Sequence, residues 1–253
     1  MNSSRKSALI TGASSGIGRD FARLLARDGY HLFLVARSEG KLQEVAEEVG
    51  HASVIVADLA SPAAPQKIFD VAGPVDVLIN NAGFGISGPF VETDLKAELE
   101  IIQVNIAALT HLTKLFVRPM VARKSGRIMN VASTAAFQPG PLMAVYYATK
   151  AYVLSFSEAI ADELNGTGVT VTALCPGPTS TGFAAVAGME SSRLFSVTRP
   201  MNSEAVARYG IRAMQHGKRV AIPGVANKLM AQSLRVSPRR LVTTIVRKLQ
   251  EPR

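Results

Sequence analysis

Tyr146 and Lys150 stand four residues apart in the run Tyr146-Tyr147-Ala148-Thr149-Lys150. On a helix that spacing places both side chains on one face. An ammonium beside a phenol favours the phenolate and lowers a pKa that is otherwise about 10. Such a phenol can give or take a proton nearer neutral pH. Tyr147, at i+3, also reaches Lys150, so the spacing alone leaves two candidate phenols.

A second cluster suits an anion. Thr11-Gly12-Ala13-Ser14-Ser15-Gly16-Ile17-Gly18 follows a short apolar run and precedes a helical pattern. A strand, a glycine-rich turn and a helix N-terminus aim backbone N–H groups at one point. Gly12 permits the tight turn, Gly16 lets backbone approach a diphosphate, and Gly18 lets helix and strand pack closely. The spacing is G-x-x-x-G-x-G rather than G-x-G-x-x-G. Further on, Leu34-Val35-Ala36-Arg37-Ser38 ends a second apolar run. In a doubly wound sheet this position meets an adenosine ribose. An acid there binds the 2′-hydroxyl, whereas the Arg37 guanidinium pairs with a 2′-phosphate and favours NADP(H) over NAD(H). Ser38 can add a hydrogen bond. Asp58 can accept from an adenine amino group, although Asp is also common as the cap of a short turn.

The elements that must position these residues alternate. Residues 8–10, 32–35, 53–56, 75–79, 127–131 and 169–174 read as buried strands. Residues 18–28, 39–48, 66–71, 95–121 and 148–164 read as helices. This alternation predicts an α/β fold, a single doubly wound parallel sheet of Rossmann type with helices on both faces. No internal repeat or linker interrupts residues 1–253, which read as one domain. Residues 180–202 break the rhythm and read as a substrate loop.

Composition bounds the function. The 253 residues suit one large α/β domain. Cys175 is the only cysteine, which excludes an internal disulfide and a Cys-rich zinc site. The histidines His31, His51, His111 and His216 lack ligand spacing, and no metal is expected. The N-terminal apolar run is too short for a signal peptide, and no stretch suits a bilayer span. A cytoplasmic protein is the expectation. The net charge of +9 at first suggests a nucleic-acid binder. However, residues 212–253 hold ten Lys/Arg and one acid, and so carry the whole excess. Residues 1–211 are neutral.

The glycine turn and the Tyr146/Lys150 pair belong to a longer ordered set. Asn80-Asn81-Ala82-Gly83 follows the fourth strand, then come Asn105, Ser133, Tyr146-x-x-x-Lys150 and Pro176-Gly177. With these motifs the chain resembles the short-chain dehydrogenase/reductase family over nearly its whole length. The resemblance implies an NADP(H)-dependent enzyme that interconverts a carbonyl and an alcohol. The Ser133–Tyr146 interval matches the family's and selects Tyr146 over Tyr147 as the catalytic phenol. Ser133 would bond the same substrate oxygen, Lys150 would tune Tyr146 and bind the nicotinamide ribose, and Asn105 would hold a relay water. Ser14, Ser15 and Ile17 of the turn, Leu59 beside Asp58, Asn81-Ala82-Gly83, Pro176, Gly177 and Thr179 would complete the cofactor site. Asn80 would make structural backbone bonds. Cys175 reads as a small buried hydrophobe. A homodimer or homotetramer is implied. A cofactor-binding protein without catalysis is the competing class, which the intact Asn105/Ser133/Tyr146/Lys150 set opposes.

Substrate readings are coarser. Phe183, Met189, Phe195 and Met201 either line an apolar pocket or anchor the loop. Phe137, Leu142 and Met143 are candidates for the opposite wall, and Arg193 and Arg199 are the only loop cations. An apolar ketone, aldehyde or secondary alcohol is the expectation. The C-terminal extension, about 225–253, contains an amphipathic basic helix. Its Leu241, Val242, Ile245, Val246 and Leu249 share a face flanked by arginine and lysine. It reads as packed on the body or a partner subunit, or resting peripherally on an anionic membrane. Nucleic acid is not expected, since the helix has no aromatics to stack. The extension is similar to that of the broad-specificity DltE-like branch of the family. On this reading the positive charge lies outside the chemistry.

Overall fold

The computed structural model describes residues 5–189, 192–193 and 199–251. Six apolar strands come first: β1 (Ser7–Thr11), β2 (His31–Ala36), β3 (Ala52–Val56), β4 (Val77–Asn80), β5 (Gly126–Val131) and β6 (Val169–Leu174). They are parallel and lie in one seven-stranded sheet of order β3-β2-β1-β4-β5-β6-β9. The final edge strand, β9 (Val220–Ala221), pairs with Ala173 and Leu174. Its two residues are too few to show a period in the sequence. The near-continuous Val, Ile and Leu of the inner strands are what a sheet covered on both faces requires.

Helices α1 (Gly16–Arg27), α2 (Glu39–Val49) and α8 (Ser203–Gln215) cover one face. There Phe21, Leu25, Leu42, Ile211 and Met214 pack on Ile10, Leu34 and Met129. Helix α3 (Ala64–Ala72) and the long helix through residue 122 cover the other, where Ile68, Leu112, Phe116 and Met120 pack on Leu9, Leu78 and Ile128. Strand order reverses between β1 and β4. That leaves a crevice beyond the carboxyl ends of the strands, the place where ligands bind in open α/β sheets.

Two departures from the expected helices shape the site. The run 95–121 is not one regular helix. It is α4 (Leu95–Ile102), a π-helical turn (Gln103–Ala108) and α5 (Leu109–Ala122). Helix α6 (Ala144–Glu163) begins four residues before the expected 148. Its first turn is held by packing rather than by propensity: the Tyr147 ring lies so close over Gly140 that a Cβ there would stand 2.1 Å from it. Leu142, just before the helix, has φ +67, and its carbonyl accepts from Gly88 N at 2.8 Å.

The base of the substrate loop is closed by two short parallel strands, β7 (Thr179–Ser180) and β8 (Met201–Asn202). The turn α7 (Phe183–Val186) lies between them. After β9 come α9 (Val225–Ser233) and α10 (Arg239–Gln250). Among the described residues no helix is long and apolar enough to cross a membrane.

Candidate active site

Helix α1 starts at the glycine turn. Its N-cap, Ser15, makes no side-chain cap bond, and no acid occupies the first turn. The first N–H groups therefore face the crevice without a competing anion. Gly12 and Gly16 have φ of +66 and +53, which L side chains rarely adopt. A Cβ on Gly12 would lie 2.9 Å from the Ala82 Cα, so the turn and the chain after β4 touch backbone to backbone. Asn81 fixes this contact: its Nδ2 donates to Thr11 O and Gly12 O at 3.0 and 3.2 Å. Ser14, Ser15 and Ile17 line the crevice with Gly12 and Gly16. Gly18 does not. A Cβ on it would stand 2.1 Å from Gly12 O, so its part is close packing behind the turn.

At the adenosine end, Arg37, Ser38, Asp58 and Leu59 line the wall. Arg37 is exposed, and among the described residues it makes no ion pair. Lys41, on the first turn of α2, lines the same wall and went unnoticed in the sequence. It stands four residues after Arg37, and that spacing was the available signal. One Asp58 oxygen accepts from Ala60 N at 3.0 Å, the turn-cap geometry its residue type allows.

The chemistry sits where β5, α6 and the π turn meet. Ser133 caps the short 3-10 helix Thr134–Phe137, accepting from Ala135 N at 3.1 Å. Its hydroxyl also donates to Pro176 O at 3.4 Å, and Ser133 and Tyr146 both line the crevice. Lys150 is buried and donates to Val131 O at 2.9 Å, with Nζ 5.7 Å from the Tyr146 ring centroid. Asn105 explains the π turn. Its Oδ1 accepts from Phe84 N at 3.2 Å, while its Nδ2 donates to Phe84 O and Thr149 Oγ1, both at 3.0 Å. These bonds hold a poor helix former in a widened turn. The amide is thus spent on protein and Asn105 does not line the crevice. Ala82 and Gly83 do line it, and a Cβ on Gly83 would stand 2.9 Å from Asn105 Oδ1 and 3.3 Å from Lys150 Nζ.

The expected depression of the Tyr146 pKa is not what this geometry gives. Burial pushes the phenol well above its usual value, and the Ser133 hydroxyl only partly offsets that. Burial likewise lowers Lys150 to about 8. The ammonium is bonded to the Val131 carbonyl and does not reverse the desolvation of the phenol. Tyr146 therefore stands as a neutral proton donor. Cys175 is fully buried with its thiol pushed up to about 12, which makes it inert. Asn80 turns away from the crevice, but its partners are side chains rather than backbone: Thr113 at 3.0 Å and Asn130 at 2.9 Å.

Beyond Tyr146 the crevice becomes apolar. The continuous cavity measures about 900 Å³. Pro176, Gly177 and Thr179 form one edge, with the Thr179 hydroxyl donating to Gly177 O at 2.9 Å. Asn227 of α9 closes over Gly177, where a Cβ would meet it at 2.7 Å. Phe183 and Met189 line the pocket, and the Phe183 ring lies 5.2 Å from that of Tyr146. Met201 instead anchors the loop to the α1-side core, and Phe195 falls outside the described residues. Met143 lines the opposite wall, while Phe137 packs elsewhere and Leu142 is absent from the lining. Arg193 and Arg199 are exposed and do not line it either.

The basic C-terminal helix forms the remaining wall. Val242 and Val246 are buried against Met143, Tyr147, Ala187 and Met189. Leu241, Ile245, Leu249 and Gln250 line the same cavity. The substrate loop grips the helix end, with Ser192 Oγ donating to Leu249 O at 3.0 Å and Arg193 N to Glu251 O at 3.2 Å. The tail is therefore part of the site and not an appendage. Its arginines flank a helix whose apolar stripe faces the pocket.

A doubly wound sheet, a glycine turn on an unspent helix N-terminus, and a Ser–Tyr–Lys wall define a nicotinamide-dependent oxidoreductase. Residues 6–191 match the short chain dehydrogenase family, and the chain belongs to it. It is 35% identical over 220 residues to a ketoacyl reductase, HetN, of Nostoc sp., covering 83% of this chain and 76% of that protein. A short-chain dehydrogenase from Sphingobium yanoikuyae, solved with NADPH, superposes with a TM-score of 0.81. The two are 30% identical over 92% of this chain and 96% of that one. A short chain dehydrogenase/reductase from Burkholderia phymatum, solved with NAD, also scores 0.81, at 26% identity over 90% and 92%. The protein is an oxidoreductase that interconverts a carbonyl and an alcohol with a nicotinamide cofactor.

Proposed function

We propose that the protein is an NADPH-preferring reductase of apolar ketones or aldehydes, with Tyr146 as the proton donor. The observation that carries this reading is that Ser133, Tyr146 and Lys150 line one cavity between the glycine turn and an apolar far wall. The residues fit the cofactor. The positive-φ glycines leave the space a dinucleotide's phosphates need, and no side chain caps α1. Arg37 and Lys41 line the wall just beyond β2 and could pair with a 2′-phosphate, which supports NADP(H) over NAD(H). When bound, the cofactor supplies or accepts the hydride.

The protein's own groups do the rest. Tyr146, held neutral, gives its proton to the carbonyl oxygen, and the Ser133 hydroxyl donates a hydrogen bond to that oxygen as charge develops. Lys150 holds the ribose and restores the proton. The Asn105 amide is engaged with Phe84 and Thr149, so its part is to maintain the π turn behind the site. The apolar far wall supports an apolar substrate, since among the described residues the cavity's cations are Arg37, Lys41 and Lys150.

The remaining readings are of setting. One connected crevice joins every element of the site, which supports residues 1–253 as one catalytic unit. Leu95, Leu99 and Ile102 stay 69%, 55% and 39% exposed at helical spacing on α4, which supports a homodimer or homotetramer through that face. The single inert cysteine suits the cytoplasm. Burial of the Val242/Val246 stripe favours the pocket wall over a membrane surface as the role of α10. The reading is tested by following NADPH absorbance over a panel of ketones, aldehydes and alcohols. Cofactor binding without turnover of any would make it a cofactor-binding protein instead.

A further inference from the structure

We infer that Val186, Leu241 and Ile245 form an open apolar exit from the pocket, along which the end of a long unbranched substrate chain passes into solvent. The inference rests on the reductase reading above and narrows its substrate to a long-chain aliphatic ketone or aldehyde. The three side chains line the same cavity as Tyr146, yet they are 66%, 55% and 49% exposed. Residues that both line a cavity and face solvent mark its mouth. Each stands next in the chain to a buried residue of the inner wall: Val186 to Ala187, Leu241 to Val242 and Ile245 to Val246. Tyr146 and Phe183 pack against that same inner cluster. Apolar surface thus leads from the proposed proton donor to the mouth.

Leu241 and Ile245 are i and i+4 on α10 and form one row along the helix. A single row offers a track about as narrow as one carbon chain. Val186 ends α7 in the substrate loop, which Ser192 Oγ ties to α10 at Leu249 O. Loop and tail therefore border the mouth together. Charge does not interrupt the exit. Among the described residues the charged side chains of the lining are Arg37, Lys41, Asp58, Glu100 and Lys150, none of them from α7, α9 or α10. Polar groups from α9 onward do line the cavity, but each already donates within the protein. Asn227 donates to Pro223 O, Ser233 to Met230 O and Ser237 to Ser233 O, all at 2.8 Å, and Gln250 donates to the Tyr147 phenol. An aliphatic chain laid on the row removes exposed apolar surface from water, and each methylene contributes. A closed pocket would instead fix one best chain length.

The test uses the full chain, NADPH and unbranched 2-ketones of about four to about twelve carbons, each below its solubility limit. We expect kcat/KM to rise about twofold per added methylene without passing through a maximum, since a half-exposed track buries about half of each methylene. The Leu241→Ser/Ile245→Ser double variant should lower the ratio of kcat/KM for the longest ketone over the shortest about fivefold or more. Val186→Ser should lower it less. NADPH titration shows that each variant is folded, and if the double variant fails it, Val186→Ser decides on the same ratio. A maximum at an intermediate length in the parent protein means a closed pocket and overturns the inference. So does a ratio that the substitutions leave unmoved, as would follow if the three side chains only pack on a second copy of the chain. Both results leave the reductase reading standing. No NADPH oxidation with any ketone overturns the reductase reading and this inference with it.

Discussion

The Gln250 amide bonds the Tyr147 phenol across 103 residues of chain, one position from Tyr146, the proposed proton donor. Through that contact the end of the polypeptide is built into the substrate pocket. Val242 and Val246 supply the rest of the contact, at 7% and 4% exposure.

Val246→Asp should therefore act on substrate rather than cofactor. The carboxylate would be buried with no partner, which α10 can avoid only by lifting from the body. We expect KM for an apolar ketone to rise at least about tenfold, while the Kd for NADPH, read by fluorescence titration, changes little. A rise in both together would mean that α10 supports the fold as a whole.

Arg37→Asp should turn cofactor preference. It replaces a cation that suits a 2′-phosphate with an acid that suits the 2′-hydroxyl. The NADPH/NADH ratio of kcat/KM should fall about tenfold or more, and Lys41→Ala should give a smaller fall. No change on the first substitution would make Arg37 a bystander.

The pH dependence follows from Lys150, lowered to about 8 by burial. Its ammonium is present below that pH and is lost above it. The charged form holds the ribose and resupplies the proton, so ketone reduction should be level below about pH 8 and fall as pH rises further. Tyr146, raised by burial, stays a proton donor across this window. A rate that climbs through pH 8 would contradict these roles.

Asn105→Ala should remove three hydrogen bonds, two to Phe84 and one to Thr149. Leaving the Phe84 backbone groups unpaired costs about 1–3 kcal/mol each where they are buried. We expect a lower Tm and a kcat reduced more than NADPH affinity. Unchanged kcat would show the π turn to be irrelevant to catalysis.

The first six strands and the Tyr146/Lys150 pair were legible because they rest on local signals, an apolar run and an i,i+4 spacing. The glycine turn was legible for the same reason, although Gly18 proved to pack behind the site. The widened turn at Asn105 was not, because its cause is Phe84 and Thr149, distant in sequence. Arg37 was readable from its place at a strand end, and Lys41 was missed one helical turn later. The tail showed its amphipathic face plainly. Nothing local said which surface that face covers, so its charge looked like a separate matter. Val242, Val246 and Gln250 make it part of the pocket lining, and the excess positive charge flanks that wall.

The most direct measurement is NADPH consumption by Tyr146→Phe, made with NADPH binding titrated on the same preparation. The account predicts turnover reduced by at least about a thousandfold with binding retained, since only the donated proton is removed. Turnover that survives the substitution would contradict the assignment of Tyr146 and return the choice to Tyr147.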